Sequence, residues 1–255
     1  MNRALLLNFT KQDFIDKYSG SIIGVGWAFI WPLVMIGIYV IIFGRIMGGR
    51  IPGISNVYGY GIYLVAGLVP WTAFSNTVTR TSTVFVDKKP IVSKVNISLL
   101  GLPVYVVLSE SITMLITMAV FIVFLLATGY PLHKTLVLFP FIYALQQLFA
   151  YGLGLFFGIF NVFIRDVKEF VGVAMQLWFW FTPIVYVTSI LPPSIQHLMQ
   201  YNPMWVFINA YHRIFLTGQP LDMSGPLKAV VMVHVVLAIA YMAFKFLERD
   251  IRDFI

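Results

Sequence analysis

Glu110 is the one acid set within a long apolar stretch of this chain, between Ser109 and Ser111. A carboxylate held at membrane depth is costly, so it must line a hydrated cavity, bind a coupling ion or pair with another helix. An isolated acid favours the structural or cavity-lining role over ion coupling. Four histidines, His133, His197, His212 and His234, have no metal-ligand spacing, and cysteine is absent. Thiol nucleophiles, disulfides and thiolate metal sites are therefore excluded. His234 falls inside the last apolar stretch, where it either hydrogen-bonds a neighbouring helix or relays a proton. No lysine follows a glycine, so the glycine-rich phosphate loop that cradles ATP in many ATPases is missing.

Aromatic residues gather at Trp27, Phe29, Trp31, Tyr39 and Phe43, and again at Trp178, Phe179, Trp180, Phe181 and Tyr186. Interfacial belts account for many of them. Aromatic faces also stack on the apolar faces of sugar rings, with hydroxyl and indole N–H groups supplying hydrogen bonds. On that chemistry Tyr39, Trp178, Trp180, Tyr186 and Glu110 are the candidate lining of a glycan pathway. Four consecutive aromatics point all around a helix, so some of them face lipid or other helices. Two short segments mix charges of both signs: Asp87, Lys88 and Lys89 through Lys94, and Arg165, Asp166, Lys168 and Glu169. They read equally as solvated loops and as a docking surface whose complementary charges orient a partner.

The elements that position these residues follow from composition. The chain has 255 residues, 60% hydrophobic and 11% charged, where a soluble domain carries about a quarter charged residues. Much of its surface must face lipid. A spanning helix needs about 20 mainly apolar residues, and the charge-poor gaps supply six, at roughly 22–43, 57–78, 103–127, 136–164, 171–190 and 226–247. Backbone groups in hydrocarbon must be satisfied internally, so these runs are helices. The expected fold is an all-α integral membrane protein, one transmembrane domain over 1–255. It comprises an interfacial helix over 1–20, a membrane region over 22–247 and a cytoplasmic tail over 248–255. Prolines and amides crowd 191–220, including Pro192, Pro193, Pro203, Gln196, Gln200 and Asn202. That composition predicts short external re-entrant helices rather than a seventh span.

Six spans with an internal start place twelve of the seventeen Lys and Arg residues inside. Those outside are Arg45, Arg50, Lys134, Arg213 and Lys228. This bias predicts both termini in the cytoplasm. It also explains the pI near 9.6 without nucleic acid as a partner. The first apolar run is too long and starts too late for a cleavable signal peptide. The preceding Ala4 to Tyr18 reads as an interfacial helix, with Leu7, Phe14, Ile15 and Tyr18 on its apolar side and Asp13, Asp16 and Lys17 opposite. Gly20/Gly24, Gly44/Gly48 and Gly154/Gly158 have the spacing that lets helices approach closely, within a subunit or between two.

The order of motifs resembles the permease subunits of bacterial ABC exporters for O-antigen, capsular polysaccharide and teichoic acid. The resemblance starts at Tyr18-Ser19-Gly20-Ser21-Ile22-Ile23-Gly24-Val25-Gly26-Trp27 and Trp31-Pro32, although basic residues before this entry are sparse. It continues through Ala66-Gly67-Leu68-Val69-Pro70-Trp71 and Asn161-Val162-Phe163-Ile164-Arg165-Asp166-Val167-Lys168. It ends with Trp178-Phe179-Trp180-Phe181-Thr182-Pro183 and Tyr201-Asn202-Pro203. The resemblance implies a half-transporter of the bacterial inner membrane without covalent chemistry of its own. Two copies would form a homodimer and pair with two cytoplasmic ATPase subunits, which bind ATP and Mg. No cofactor or metal is implied for this chain. The ATPases would dock at Asp87, Lys88, Lys89, Lys94, Arg165, Asp166, Lys168 and Glu169. The cargo would be a glycan on a lipid pyrophosphate carrier. Teichoic acid or another lipid-linked glycan is the alternative cargo. A membrane enzyme of glycan assembly is the rival from another class, and a structural scaffold is a third.

Overall fold

The computed structural model describes residues 3–46, 56, 58–92, 94, 97–222 and 224–254. Among them there are ten α-helices and no strand. They are α1 (Arg3–Asp16), α2 (Trp27–Ile38), α3 (Gly59–Asp87), α4 (Lys89–Val92), α5 (Val104–Ala127), α6 (Phe139–Phe163), α7 (Val167–Trp180), α8 (Pro193–Met199), α9 (Pro203–His212) and α10 (Ser224–Phe254). Among the described residues, four segments are long and apolar enough to cross a membrane: Gly24–Gly44, Val104–Ala127, Lys134–Phe163 and Ser224–Phe254. The chain is thus an all-α membrane protein.

Helix α3 is equally long, at 29 residues, or about 44 Å at 1.5 Å per residue. It is less apolar because it occupies the centre of the bundle. Ile62, Val65, Phe74, Val78, Thr77 and Thr81 are all fully buried, so its polar side chains face protein rather than lipid. The sequence predicts the end of this span near Val78, with Arg80 beyond it on the inside. It runs on to Asp87 instead, because its last turns pack on α6. A Cβ on Gly154 would stand 2.6 Å from Thr81 Cβ, and one on Gly158 would stand 2.9 Å from the Thr81 carbonyl oxygen. On its other side, a Cβ on Gly152 would lie 2.9 Å from Val236 of α10. The Gly154/Gly158 spacing therefore serves packing inside the subunit. Gly20 and Gly24 do not pack helices. They turn the chain at φ +83° and +55°, a region that favours glycine. Gly48 of the third pair, and Arg50, lie outside the described residues.

The fifth segment also differs from expectation. Helix α7 starts at Val167 rather than 171 and ends at Trp180. Its 14 residues cover about 21 Å, short of a 30 Å hydrocarbon layer. Pro183 disfavours helical backbone at the residue before it. The carbonyls beyond are taken up by α3: Tyr60 donates to the Val185 oxygen at 2.7 Å, and Tyr63 to those of Pro183 at 3.0 Å and Tyr186 at 2.8 Å.

The chain then forms α8 and α9, of 7 and 10 residues, broken at Gln200–Asn202 and too short to cross. Helix α9 is nonetheless set deep. Its Tyr211, fully buried, donates to Gln146 Oε1, whose Nε2 donates to the Pro70 carbonyl at 2.8 Å. The His212 ring stacks on Tyr63 at 3.8 Å. A re-entrant element at this depth requires such internal partners for its polar groups. The expected tail over 248–255 continues α10 as helix to Phe254.

Because α6 meets α3 through hydrogen rather than carbon, Gly154→Leu forces Thr81 and its helix aside. Overpacking of this kind costs about 1–3 kcal/mol or more. Purified Gly154→Leu protein should unfold at a lower temperature than wild type, while Gly172→Leu, where no neighbour lies within 4 Å, should not. Equal midpoints for all three would remove this contact as a fold determinant.

Candidate functional site

Four charged side chains, from three helices and the turn after α1, meet at one point. Glu110, on the second turn of α5, is 3% exposed. Its Oε1 accepts from Lys17 Nζ at 2.8 Å and from Arg80 Nη1. Arg80, on α3, also donates to Asp13 Oδ1 of α1, and Asn76 Nδ2 approaches Glu110 Oε2 at 3.4 Å. Two acids and two bases make the cluster neutral. Removing charges from water costs several kcal/mol per ion, and mutual attraction with good hydrogen bonds offsets that cost. Glu110 therefore pairs with other helices, the structural member of the expected set, and also lines a cavity.

The cluster fixes α1. On the side read as apolar from the helical wheel, Leu7 and Ile15 are 64% and 38% exposed and Phe14 and Tyr18 are half-buried, and Asp16 of the opposite side is exposed. The side against the protein carries Leu6, Phe9, Thr10, Asp13 and Lys17. Leu6 and Phe9 pack on the core around Phe85 and Leu102, Phe9 facing the Tyr105 ring at 5.7 Å. Sequence reading missed Asp13, Lys17 and Arg80. The available signals were the helical spacing of 6, 9, 10, 13 and 17, and the need of any buried acid for a nearby base.

Beside the cluster, α2, α3 and α5 enclose a cavity of about 250 Å³ lined by Trp31, Met35, Tyr39, Leu68, Asn76, Glu110, Thr113 and Thr117. Tyr39 sits where α2 widens into a π-helical stretch, Tyr39–Ile46. A groove of about 350 Å³ continues from it past Trp31 and Thr117 to Lys17, Tyr18, Ser21 and Trp27. Of the five candidate pathway residues, Tyr39 and Glu110 thus share one cavity. Trp178 lies elsewhere, among Phe74, Phe149 and Trp71 at ring distances of 5.6, 6.4 and 6.3 Å. Its indole N–H donates to Asn202 Oδ1 at 2.8 Å, tying α7 to the start of α9. Trp180 points outward at 60% exposure, and the Tyr186 hydroxyl donates to the Trp180 carbonyl at 2.9 Å. Among the described residues, His234 makes one hydrogen bond, within its own helix. Its Nδ1 lies 2.7 Å from the Val230 carbonyl of its own helix, and the ring is exposed.

The two charged segments come to the same end of the bundle. Lys89 donates to the Phe254 carbonyl at 2.9 Å, and the Phe254 ring meets Phe163 at 5.1 Å. The ends of α3, α6 and α10 are thereby gathered together. Asp87 accepts from Thr83 at 2.6 Å and Lys88 lies 5.6 Å from the Tyr105 ring. Lys94, Arg165, Asp166, Lys168 and Glu169 are exposed. Among the described residues, no ion pair within the chain uses any of these eight.

Arg80→Met should cost about 3 kcal/mol, the lower end for a broken buried pair, because Arg80 is itself 32% exposed. Arg80→Met/Glu110→Leu, which removes both charges, should recover part of that loss in a thermal unfolding series. Additive losses would show that the two residues do not interact. Trp178→Ala should lower the unfolding midpoint as a core deletion does, by about 3–5 kcal/mol. An unchanged midpoint would show that the packing of Trp178 does not support the fold.

The sequence matches the ABC-2 type transporter family over residues 5–216. It is 30% identical over 215 residues to the O-antigen export system permease protein RfbA of Klebsiella pneumoniae, covering 84% of this chain and 81% of that one. It is 29% identical over 237 residues to the protein of the same name from Myxococcus xanthus, covering 92% and 88%. With a multi-pass helical bundle and a family match across most of its length, the chain belongs to the ABC-2 type transporter family.

Proposed function

We propose that this chain is the permease subunit of an ATP-driven exporter that moves O-antigen-type, lipid-linked polysaccharide across the bacterial inner membrane. The observation that carries this reading is the similarity to two O-antigen export permeases over more than four fifths of each chain. The lack of a glycine-rich phosphate loop in this sequence supports the reading in which a separate subunit binds ATP and Mg. ATP binding and hydrolysis there bias the permease between conformations that bind cargo differently.

Charge placement supports both termini in the cytoplasm, with α7 and the deep residues after it serving as the fifth crossing. The gathered ends of α3, α6 and α10 form the docking face for the ATPase, where Arg165, Asp166, Lys168 and Glu169 remain free of partners within the chain among the described residues. A second copy completes the translocation path. Phe29, Leu33 and Ile41 on the α2 segment and Leu177 and Trp180 on α7, all exposed, supply apolar surface for it. The membrane-enzyme reading has less support, because the Oε1 of Glu110 is occupied by two cations.

Cells lacking the chain should retain full-length lipid-linked polymer inside and lose it from the surface, with recovery when the chain is restored. Absence of polymer altogether would favour the enzyme of glycan assembly. Arg165→Glu reverses an exposed charge on the docking face. It should leave folding unchanged and reduce co-purification with the ATPase or its coupled hydrolysis, and normal assembly with normal export would remove Arg165 from the contact.

A further inference from the structure

The cavity between α2, α3 and α5 has two unlike walls. The side formed by Trp31, Met35 and Tyr39 is apolar and aromatic. The other, from α3 and α5, sets Glu110, Asn76, Thr72, Thr113 and Thr117 among apolar Leu68, Val69, Ala73 and Met114. On the polar wall the protons are already committed. Thr72 donates to the Leu68 carbonyl at 2.8 Å, Thr113 to that of Ser109 at 3.3 Å and Thr117 to that of Thr113 at 2.9 Å. A hydroxyl used in this way keeps its oxygen lone pairs as acceptors. Glu110 spends Oε1 on Lys17 and Arg80, while Oε2 has only the distant Asn76 amide. The polar wall therefore presents mostly acceptors, carried by a charge cluster that is neutral as a whole.

Each class of occupant meets that wall differently. An anion such as a phosphate needs donors, and the two cations nearby are held by Glu110 and Asp13. A cation would have to compete with Lys17 and Arg80 for the same carboxylate. An acyl chain would suit the apolar lining but would bury Glu110 Oε2, which has only the Asn76 amide at 3.4 Å, against hydrocarbon, which is unfavourable. A neutral polyol ring satisfies both walls: its hydroxyls donate to Glu110 and Thr117, the Thr113 oxygen being already approached by Lys17 Nζ at 3.4 Å, and its C–H face lies on Tyr39 and Trp31.

We propose that this cavity is a binding site for one neutral sugar residue, held within a single subunit, and that the lipid pyrophosphate binds elsewhere. The site rests on the export reading above and names the part of the cargo it receives. Tyr39 and Glu110 become direct contacts, and Arg80 is a positioning residue that holds the Glu110 carboxylate toward the cavity.

The absence of cysteine makes a single introduced thiol a specific reporter. Val69→Cys places one on the cavity wall. In lipid nanodiscs, maleimide labelling of this thiol should slow in the presence of neutral methyl glycosides of gluco, galacto or manno configuration. Inorganic pyrophosphate should not slow it. Adding Thr117→Val removes one acceptor at nearly constant shape and should weaken protection by roughly two- to tenfold, the worth of one hydrogen bond. A Val231→Cys reporter, remote from the cavity, should label at the same rate throughout. Protection by pyrophosphate alone, or by none of the glycosides, would overturn the proposal. Surface export measured in cells carrying Val69→Cys separates the two readings: normal export with indifferent labelling rejects the sugar site and leaves the exporter standing.

Discussion

A carboxylate cannot remain charged in an apolar bundle without compensation, and Glu110 sets that requirement for the membrane half of this chain. Its neutralisation draws Arg80 from α3 and Lys17 from the end of α1 to a single point. Arg80 in turn binds Asp13, so one guanidinium joins three helices. Its planar, multi-donor geometry suits this bridging role better than an ammonium would. Helix α1 thus lies against α3 and α5 with its charged side inward, and the path from α1 into α2 forms one side of the groove beside the cluster.

Around that point the bundle is assembled by close backbone approach and by buried polar pairs. Gly154 and Gly158 let α6 lie directly on α3, and Gly152 lets α10 lie on α6. Since lipid is as apolar as leucine, association between such helices relies on packing and hydrogen bonds rather than on the hydrophobic effect. The chain Tyr211, Gln146 and Pro70 and the link from Trp178 to Asn202 then hold the broken α7–α9 region against the same two helices. The parallel run of α3 and α6 has a further result. It carries two charged segments, more than seventy residues apart in sequence, to one end of the molecule.

These two regions divide the work expected of an export permease. The gathered helix ends form a rigid, charged face suited to receiving force from a partner. The cavity lies beside the Glu110 cluster, where α1 is held both by Leu6 and Phe9 packed on the core and by the ion pairs of Asp13 and Lys17.

The amino-acid sequence by itself determined the class: an all-α membrane protein, with apolar runs at α2, α5, α6 and α10, a proline-rich stretch after α7 that does not cross, and a motif order matching a known family. Those features depend on composition and local spacing, which a linear reading captures. Tertiary structure decided which face of α1 is inward, that Arg80 lies within a helix, that Trp178 packs half-buried against Phe74 and Phe149 and that Tyr39 and Glu110 share a cavity. Hydropathy cannot distinguish a polar side chain facing water from one facing a complementary charge on another helix. That complement, Arg80 for Glu110 and Asn202 for Trp178, exists only when distant segments are folded together.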